Sequence, residues 1–337
     1  MTAAKKLGQQ SVKFLNLPVI SAWASIVGPK EGQGPWAKDF DKILDDYLYG
    51  QSSWEKAENK LLQTTVKTAV AKAGLDVADA ELLLAGDLLN QIISANYAAR
   101  ELNVPFLGLY GACSTMAESL LLAAMLVDAG FFERVVAATC SHHYTAERQY
   151  RAPVEQGVQP SASAQWTATA SGAILVLPGG NGPRITCATI GKVVDMGITD
   201  PANMGAAMAP AAGSTIKAHF EDTGRPTDYY DLVVTGDLGT VGMNLVNQLF
   251  IQQGIVPQPT YSDCGVLLYD GLPDIKAGAS GCGCSAAMLC GPLLKKLSRG
   301  EIDRLLFVAT GALMSPTSSF QGESIPGIAH ALAIENI

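Results

Sequence analysis

The chain is predicted to be an α/β protein whose two halves share a βαβαβαββ order and stack into αβαβα layers. Three observations predict it. GLDVADAELLLAGDL (74–88) is echoed by GRPTDYYDLVVTGDL (224–238), so Gly74, Gly86, Asp87 and Leu88 recur as Gly224, Gly236, Asp237 and Leu238 at one constant spacing. GACSTMAESLLLAAMLVDAGFFERVVAAT (111–139) is answered by GCGCSAAMLCGPLLKKLSRGEIDRLLFVAT (281–310). Continuous apolar runs such as AELLLAGD (80–87) and YDLVVTGD (230–237) read as strands covered on both faces and alternate with helical stretches. The two halves are placed at 1–182 and 183–337.

FLNLPVISAWASIVG, which follows Lys5, Lys6 and Lys13, superficially resembles a leader, but Asn16 and Pro18 interrupt it. It is read instead as the first core strand ending in a Gly-Pro-Lys turn, with no signal peptide. Ser52 and Glu55 have capping-box spacing, and Trp54, Ala57, Leu61, Thr65, Ala69 and Ala73 keep a helical period up to Gly74. A strand (80–87), a helix (91–103), a strand (104–111), an apolar helix (115–130) and a strand (134–143) follow. Segment 144–170, with Pro153 and Pro160, is predicted to be an irregular loop over the functional face. SGAILVLPG (171–179) restores a strand. ITCATIGKVVDMG (185–197) opens the second half, 209–224 parallels the earlier helix, and 230–237, 263–270, 276–300, 304–315 and 327–335 complete it.

Bulk composition excludes several classes of function. With 337 residues, 48% of them hydrophobic, the chain can bury a large core. A net charge of −8, and no basic run longer than Lys5-Lys6 or Lys295-Lys296, excludes a nucleic-acid backbone as partner. Seven cysteines, an odd count, suit free thiols better than a disulfide framework. Cys282-Gly283-Cys284 is too tight for a zinc knuckle, so no metal site and no cofactor are expected. The longest uncharged apolar run, Ser119 to Val127, is too short to span a bilayer.

Cys113 is predicted at a turn between a strand and a helix N-terminus, where unpaired N–H groups and the positive dipole end favour a thiolate or hold a carboxylate. A small buried cysteine fitting a crowded turn is the alternative. Asp87 and Asp237 occupy strand ends, where open α/β sheets place ligands, or else cap their turns. Of the two, Asp87, with Asn90 after it, is favoured for the pocket.

Gly111-Ala112-Cys113-Ser114 sits where thiolases and ketoacyl synthases carry their nucleophilic cysteine, and the whole chain resembles that thiolase-like superfamily. GPKEGQGP (28–35), AGDLLNQ (85–91), ANYAAREL (95–102), TAERQYR (145–151), MGAAMAPAA (204–212), TGDLG (235–239) and ATGALMSPT (309–317) make it similar, more narrowly, to the stage V sporulation protein AD family. That resemblance implies a role in moving dipicolinic acid during sporulation and germination. It also implies peripheral residence at the spore inner membrane beside the membrane subunits of the stage V sporulation A channel complex. Relatives of the fold pair through an edge strand, so a homodimer is expected.

The acyl-transfer members draw a histidine base from Gly-His-Pro or His-Gln-Ala-Asn stretches, because an unaided thiol is mostly protonated. The corresponding stretches here are Thr235-Gly236-Asp237 and Gly281-Cys282-Gly283-Cys284, without histidine. Of the four histidines, His219 is read as a solvated surface residue and His330 as a core residue. His142 or His143 follows the strand that ends the Cys113 unit and can reach the pocket. The expectation is therefore a non-catalytic site for dipicolinate, possible also as its calcium chelate with Asp87 contacting the ion. The expected ligand-binding set is Asp87, Asn90, Cys113, Ser114, Thr115, His142, Asp237, Cys284 and Ser285. The alternative is an acyl-thioester transferase that uses Cys113 with His142 or His143 as base.

Overall fold

The computed structural model describes residues 5–150, 161–254 and 261–337. Ten strands carry the architecture: β1 (Val19–Val27), β2 (Leu82–Gly86), β3 (Phe106–Gly108), β4 (Val135–Ser141), β5 (Ala170–Leu177), β6 (Arg184–Thr189), β7 (Leu232–Thr235), β8 (Tyr261–Asp263), β9 (Arg304–Ala312) and β10 (Gly327–Glu335). In space they run β1-β5-β4-β2-β3 and β6-β10-β9-β7-β8, so the second half repeats the strand order of the first. In each half the three strands at the outer end are parallel, and the fifth is antiparallel to both its neighbours. A single antiparallel pair, Arg184 with Val19, joins the two sheets.

Alternation along the strands explains the layers. In β2, Leu82 and Leu84 enter the central core, while Leu83 and Ala85 face an outer one. In β9, Leu305, Phe307 and Ala309 face the centre, while Leu306 and Val308 face the opposite outer layer. Both faces of each strand are therefore apolar, as the continuous hydrophobic runs predict. The helices α1 (Trp54–Lys72) and α2 (Ile93–Leu102) cover one outer face. The central layer holds α3 (Thr115–Asp128), which precedes α4 (His143–Tyr150) in the chain. The helices α5 (Met204–Thr223) and α6 (Gly239–Gln252) cover the other outer face, and α7 (Cys282–Met288) joins α3 in the centre. Between two sheets α3 is buried over most of its surface, at Met116, Ala117, Leu120, Leu121, Ala124 and Val127, and reaches solvent at Met125.

The structure moves several predicted boundaries. Helix α1 is capped by Ser53, which accepts from Lys56 N, and not by Ser52. Residues 264–268 form a short helix after β8, started by Asp263 accepting from Val266 N. The predicted loop 144–170 contains α4 and a short strand, Trp166–Thr167, paired with Ala279–Ser280. Residues 151–160 of that segment lie outside the described residues. His219 is fully buried and not solvated: its Nδ1 lies 2.8 Å from Thr189 Oγ1 and its Nε2 2.6 Å from Tyr230 Oη. Helix α5 turns that residue inward against β6, which the neighbouring Glu221 and Asp222 conceal in the sequence.

Candidate functional site

The chain leaves β3 through Leu109, Tyr110 and Gly111, and Ala112 adopts φ +50° immediately before Cys113. A left-handed conformation is uncommon outside glycine and costs of the order of 1 kcal/mol or more. It survives here because the turn is pinned. Ser114 Oγ donates to Gly111 O (2.7 Å), Thr115 Oγ1 donates to Ala112 O (2.7 Å), and Gly111 N donates back to Thr115 Oγ1 (3.2 Å). Gly311 of β9 presses on the turn from the other half so closely that an added Cβ would lie 2.1 Å from Gly111 O. Ser114 and Thr115 are thus braces of the turn, and both are fully buried.

The Cys113 side chain packs with Leu88, Ala112, Ala146 and Cys282. Its thiol has the carboxyl of Asp237 as its charged neighbour, and Asp237 Oδ2 accepts from Gly281 N (2.8 Å) and Oδ1 from Thr310 Oγ1 (2.9 Å). Burial, followed by the Asp237 charge, pushes the Cys113 thiol well above its ordinary range. Burial likewise raises Asp237 to about 7. Of the two readings of this cysteine the buried thiol is the one favoured, since loss of water and a carboxyl neighbour outweigh the helix end.

Both candidate bases have partners of their own. The Nε2 of His142 lies 2.8 Å from Tyr47 O, and burial lowers this group to about 4. His143 stacks on Trp166, ring centroids 3.8 Å apart, with Nδ1 3.3 Å from Thr167 O. His142 is accordingly no part of the cavity lining.

The two duplicated carboxylates do different work. Asp87 Oδ1 accepts from Leu89 N (2.8 Å) and Oδ2 from Ala95 N (2.7 Å), which folds loop 88–92 and starts α2. Beneath it lies Glu58, fully buried, taking a bond from Thr145 Oγ1 (2.8 Å) and raised well above the usual carboxylate range by burial and then by Asp87. Asp87 itself is raised to about 6 by burial. It is a loop clamp outside the cavity lining, and the calcium contact expected of it has no geometric support. Cys284 and Ser285 are also away from the lining. Cys284 Sγ points to Gly236 O (3.6 Å), and Ser285 Oγ donates to Cys282 O (3.3 Å).

Cys113 lines a narrow chamber of about 30 Å³ whose walls include Leu88, Tyr110, Tyr150, Met204, Ala312 and Met314. An outer vestibule lies across Tyr110, Tyr150 and Met314, and Asn90 lines it together with Gln91, Ile92 and Leu313. Gln91 and Ile92 both have positive φ, +58° and +48°, an outlier for a β-branched residue. Among the described lining residues of both spaces, Glu147 is the one charged side chain. The tyrosines and Met314 were missed by sequence reasoning. Tyr110 directly precedes the Gly-Ala-Cys-Ser turn, and Met314 lies in ATGALMSPT, yet nothing in a linear pattern says that the two meet.

Comparison with known proteins follows this geometry. Residues 8–335 match the family Stage V sporulation protein AD (SpoVAD). The chain is 46% identical over 331 residues to Stage V sporulation protein AD of Bacillus subtilis (strain 168), covering 98% of each. Among solved structures it is similar to 3-oxoacyl-[acyl-carrier-protein] synthase III of Aquifex aeolicus VF5, with TM-score 0.59, 13% identity, and coverage of 95% of this chain and 100% of that one. It is also similar to a single-residue variant of Xanthomonas campestris OleA, with TM-score 0.62, 12% identity, and coverage of 96% and 100%. These two likenesses carry the thiolase-like fold alone.

Proposed function

The chain belongs to the stage V sporulation protein AD family, and from that premise we propose that it is a binding protein for dipicolinic acid, built on a thiolase-like scaffold that has lost acyl-transfer chemistry. One observation carries this reading: the charged group beside the Cys113 thiol is the Asp237 carboxyl and not an imidazole. A protonated, desolvated thiol is a poor nucleophile but a good neighbour for a planar aromatic ring. The mouth of the chamber and the vestibule of about 490 Å³ next to it offer such a ring apolar walls from Leu88, Leu313 and Met314.

Titration with dipicolinate tests the reading, and binding that is lost when Ala312→Trp fills the chamber is the expected result. Incubation with acyl-CoA followed by intact-mass analysis is expected to leave Cys113 unmodified. A stable acyl adduct on that residue would return the chain to the acyl transferases. Because the described lining carries no cation, charge-neutral forms of the ligand, the 1:1 calcium chelate included, are expected to bind more tightly than the free dianion. Calorimetry with and without calcium checks this, and equal affinity in both argues against it.

The proposal extends to place and partners. No helix among the described residues is long and apolar enough to cross a membrane, which fits a peripheral subunit docked at the spore inner membrane on the stage V sporulation A membrane proteins. Strand β3, an edge strand with Leu107 53% exposed, is the expected seam of a homodimer. Light scattering on the purified chain gives the mass that decides it.

A further inference from the structure

Two phenols stand where the chamber meets the vestibule, since Tyr110 and Tyr150 line both. Their hydroxyl oxygens are 3.1 Å apart, and Tyr150 Oη also donates to the carbonyl of Leu88. A hydroxyl has one proton to give. With that of Tyr150 directed to Leu88, the bond between the rings runs from Tyr110 to Tyr150.

This chain of donors is poised to be redirected. Leu88 O also accepts from Gln149 Nε2 (3.0 Å), so the carbonyl keeps a partner when Tyr150 turns away. Gln149 is itself held, its Oε1 accepting from Asn90 N (2.9 Å). Both phenols stay protonated at neutral pH, because burial raises each of them. A carboxylate is a stronger acceptor than a phenol oxygen, and an O–H···O⁻ bond is about twice as strong as its neutral counterpart. With no cation among the described lining residues, these hydroxyls are prominent donors on the path to Cys113.

We propose that Tyr110 and Tyr150 form the carboxylate-recognising threshold of the pocket. Their mutual hydrogen bond opens as the ligand passes, and both hydroxyls then close on one of its carboxylates. This rests on the dipicolinate reading above. No covalent step is involved, and the groups act as neutral donors throughout.

The test uses the full chain with Tyr110→Phe, Tyr150→Phe and the double variant, which keep the rings and remove the hydroxyls. Each is titrated with dipicolinate and with 2,6-pyridinedimethanol, a ring of the same shape without carboxylates. Each single variant is expected to bind dipicolinate about tenfold more weakly, the double variant more weakly still, with binding of the diol unchanged. Circular dichroism confirms that the variants are folded. Wild-type binding of dipicolinate with Phe variants that match it overturns the threshold and leaves the binding function standing. Equal losses for diol and dipicolinate also overturn it, since the hydroxyls would then serve only the shape of the pocket. Absence of dipicolinate binding by the wild-type chain overturns both readings.

Discussion

Gly86→Ala is expected to destabilise the protein by about 3 kcal/mol or more, read as a fall in the urea midpoint. The added methyl would lie 2.0 Å from Leu109 O and 3.0 Å from Thr115 Cγ2. Backbone on that side belongs to the chain that leads into the Cys113 turn, so relief requires separating β2 from the segment that positions the sulfur. Its duplicate is less severe. A Cβ on Gly236 meets Ala309 Cα at 3.0 Å and Thr310 N at 3.1 Å. Gly179→Ala is the control, having open space around it and no positive φ, and is expected to be neutral or slightly stabilising. Equal midpoints for Gly86→Ala and wild type would refute the close approach of β2 to the turn.

The contribution of Asp237 to stability is expected to fall as pH rises from about 4 to about 7, against the opposite contribution of His142, His219 and His330, which burial lowers to about 4, 3 and 4. Burial lifts this carboxyl from 3.8 to about 7, so between those values the native chain holds a proton that the unfolded chain has released. The stabilisation is complete below the unfolded value and is lost as pH passes through the folded one. Asp87 and Asp263, both lifted to about 6, act in the same direction over a narrower window. Asp237→Asn removes a slope of roughly 1.4 kcal/mol per pH unit, so the variant is expected to gain on wild type in urea midpoint from pH 4.5 to 7. Asp237→Ala strips the acceptor from Gly281 N and Thr310 Oγ1, at roughly 1–3 kcal/mol for each buried donor left without one. Midpoints of wild type and Asp237→Asn that run parallel across the same range contradict the burial of Asp237 as a protonated group.

The repeat from which the fold was read is real in space because it is a repeat of strand order. Gly86-Asp87 and Gly236-Asp237 end corresponding strands, and the apolar runs before them face two cores each. Cys113 was legible for the same reason, since a strand-to-helix turn leaves a local signature in Gly-Ala-Cys-Ser. Its protonation was not. Local pattern shows the helix end, which favours charge, but not Asp237, which arrives from the other half and opposes it. Asp87 and Asp237 look equivalent in the sequence and part company in the structure. The first caps α2, while the second binds Gly281 and Thr310 of its own half and stands beside the sulfur of Cys113 from the other.

From residue order alone came the duplicated α/β halves, the seat of the cysteine and the missing imidazole, because periodicity, turn chemistry and residue type are local properties of a chain. The walls of the chamber came only from folding. Leu88, Tyr110, Tyr150, Met204 and Met314 belong to five separate stretches that meet because two sheets close on one central helix layer. The charge states of Cys113 and Asp237 came from folding too, since a pKa answers to burial and to neighbours brought from afar, and neither is written in the sequence around the group.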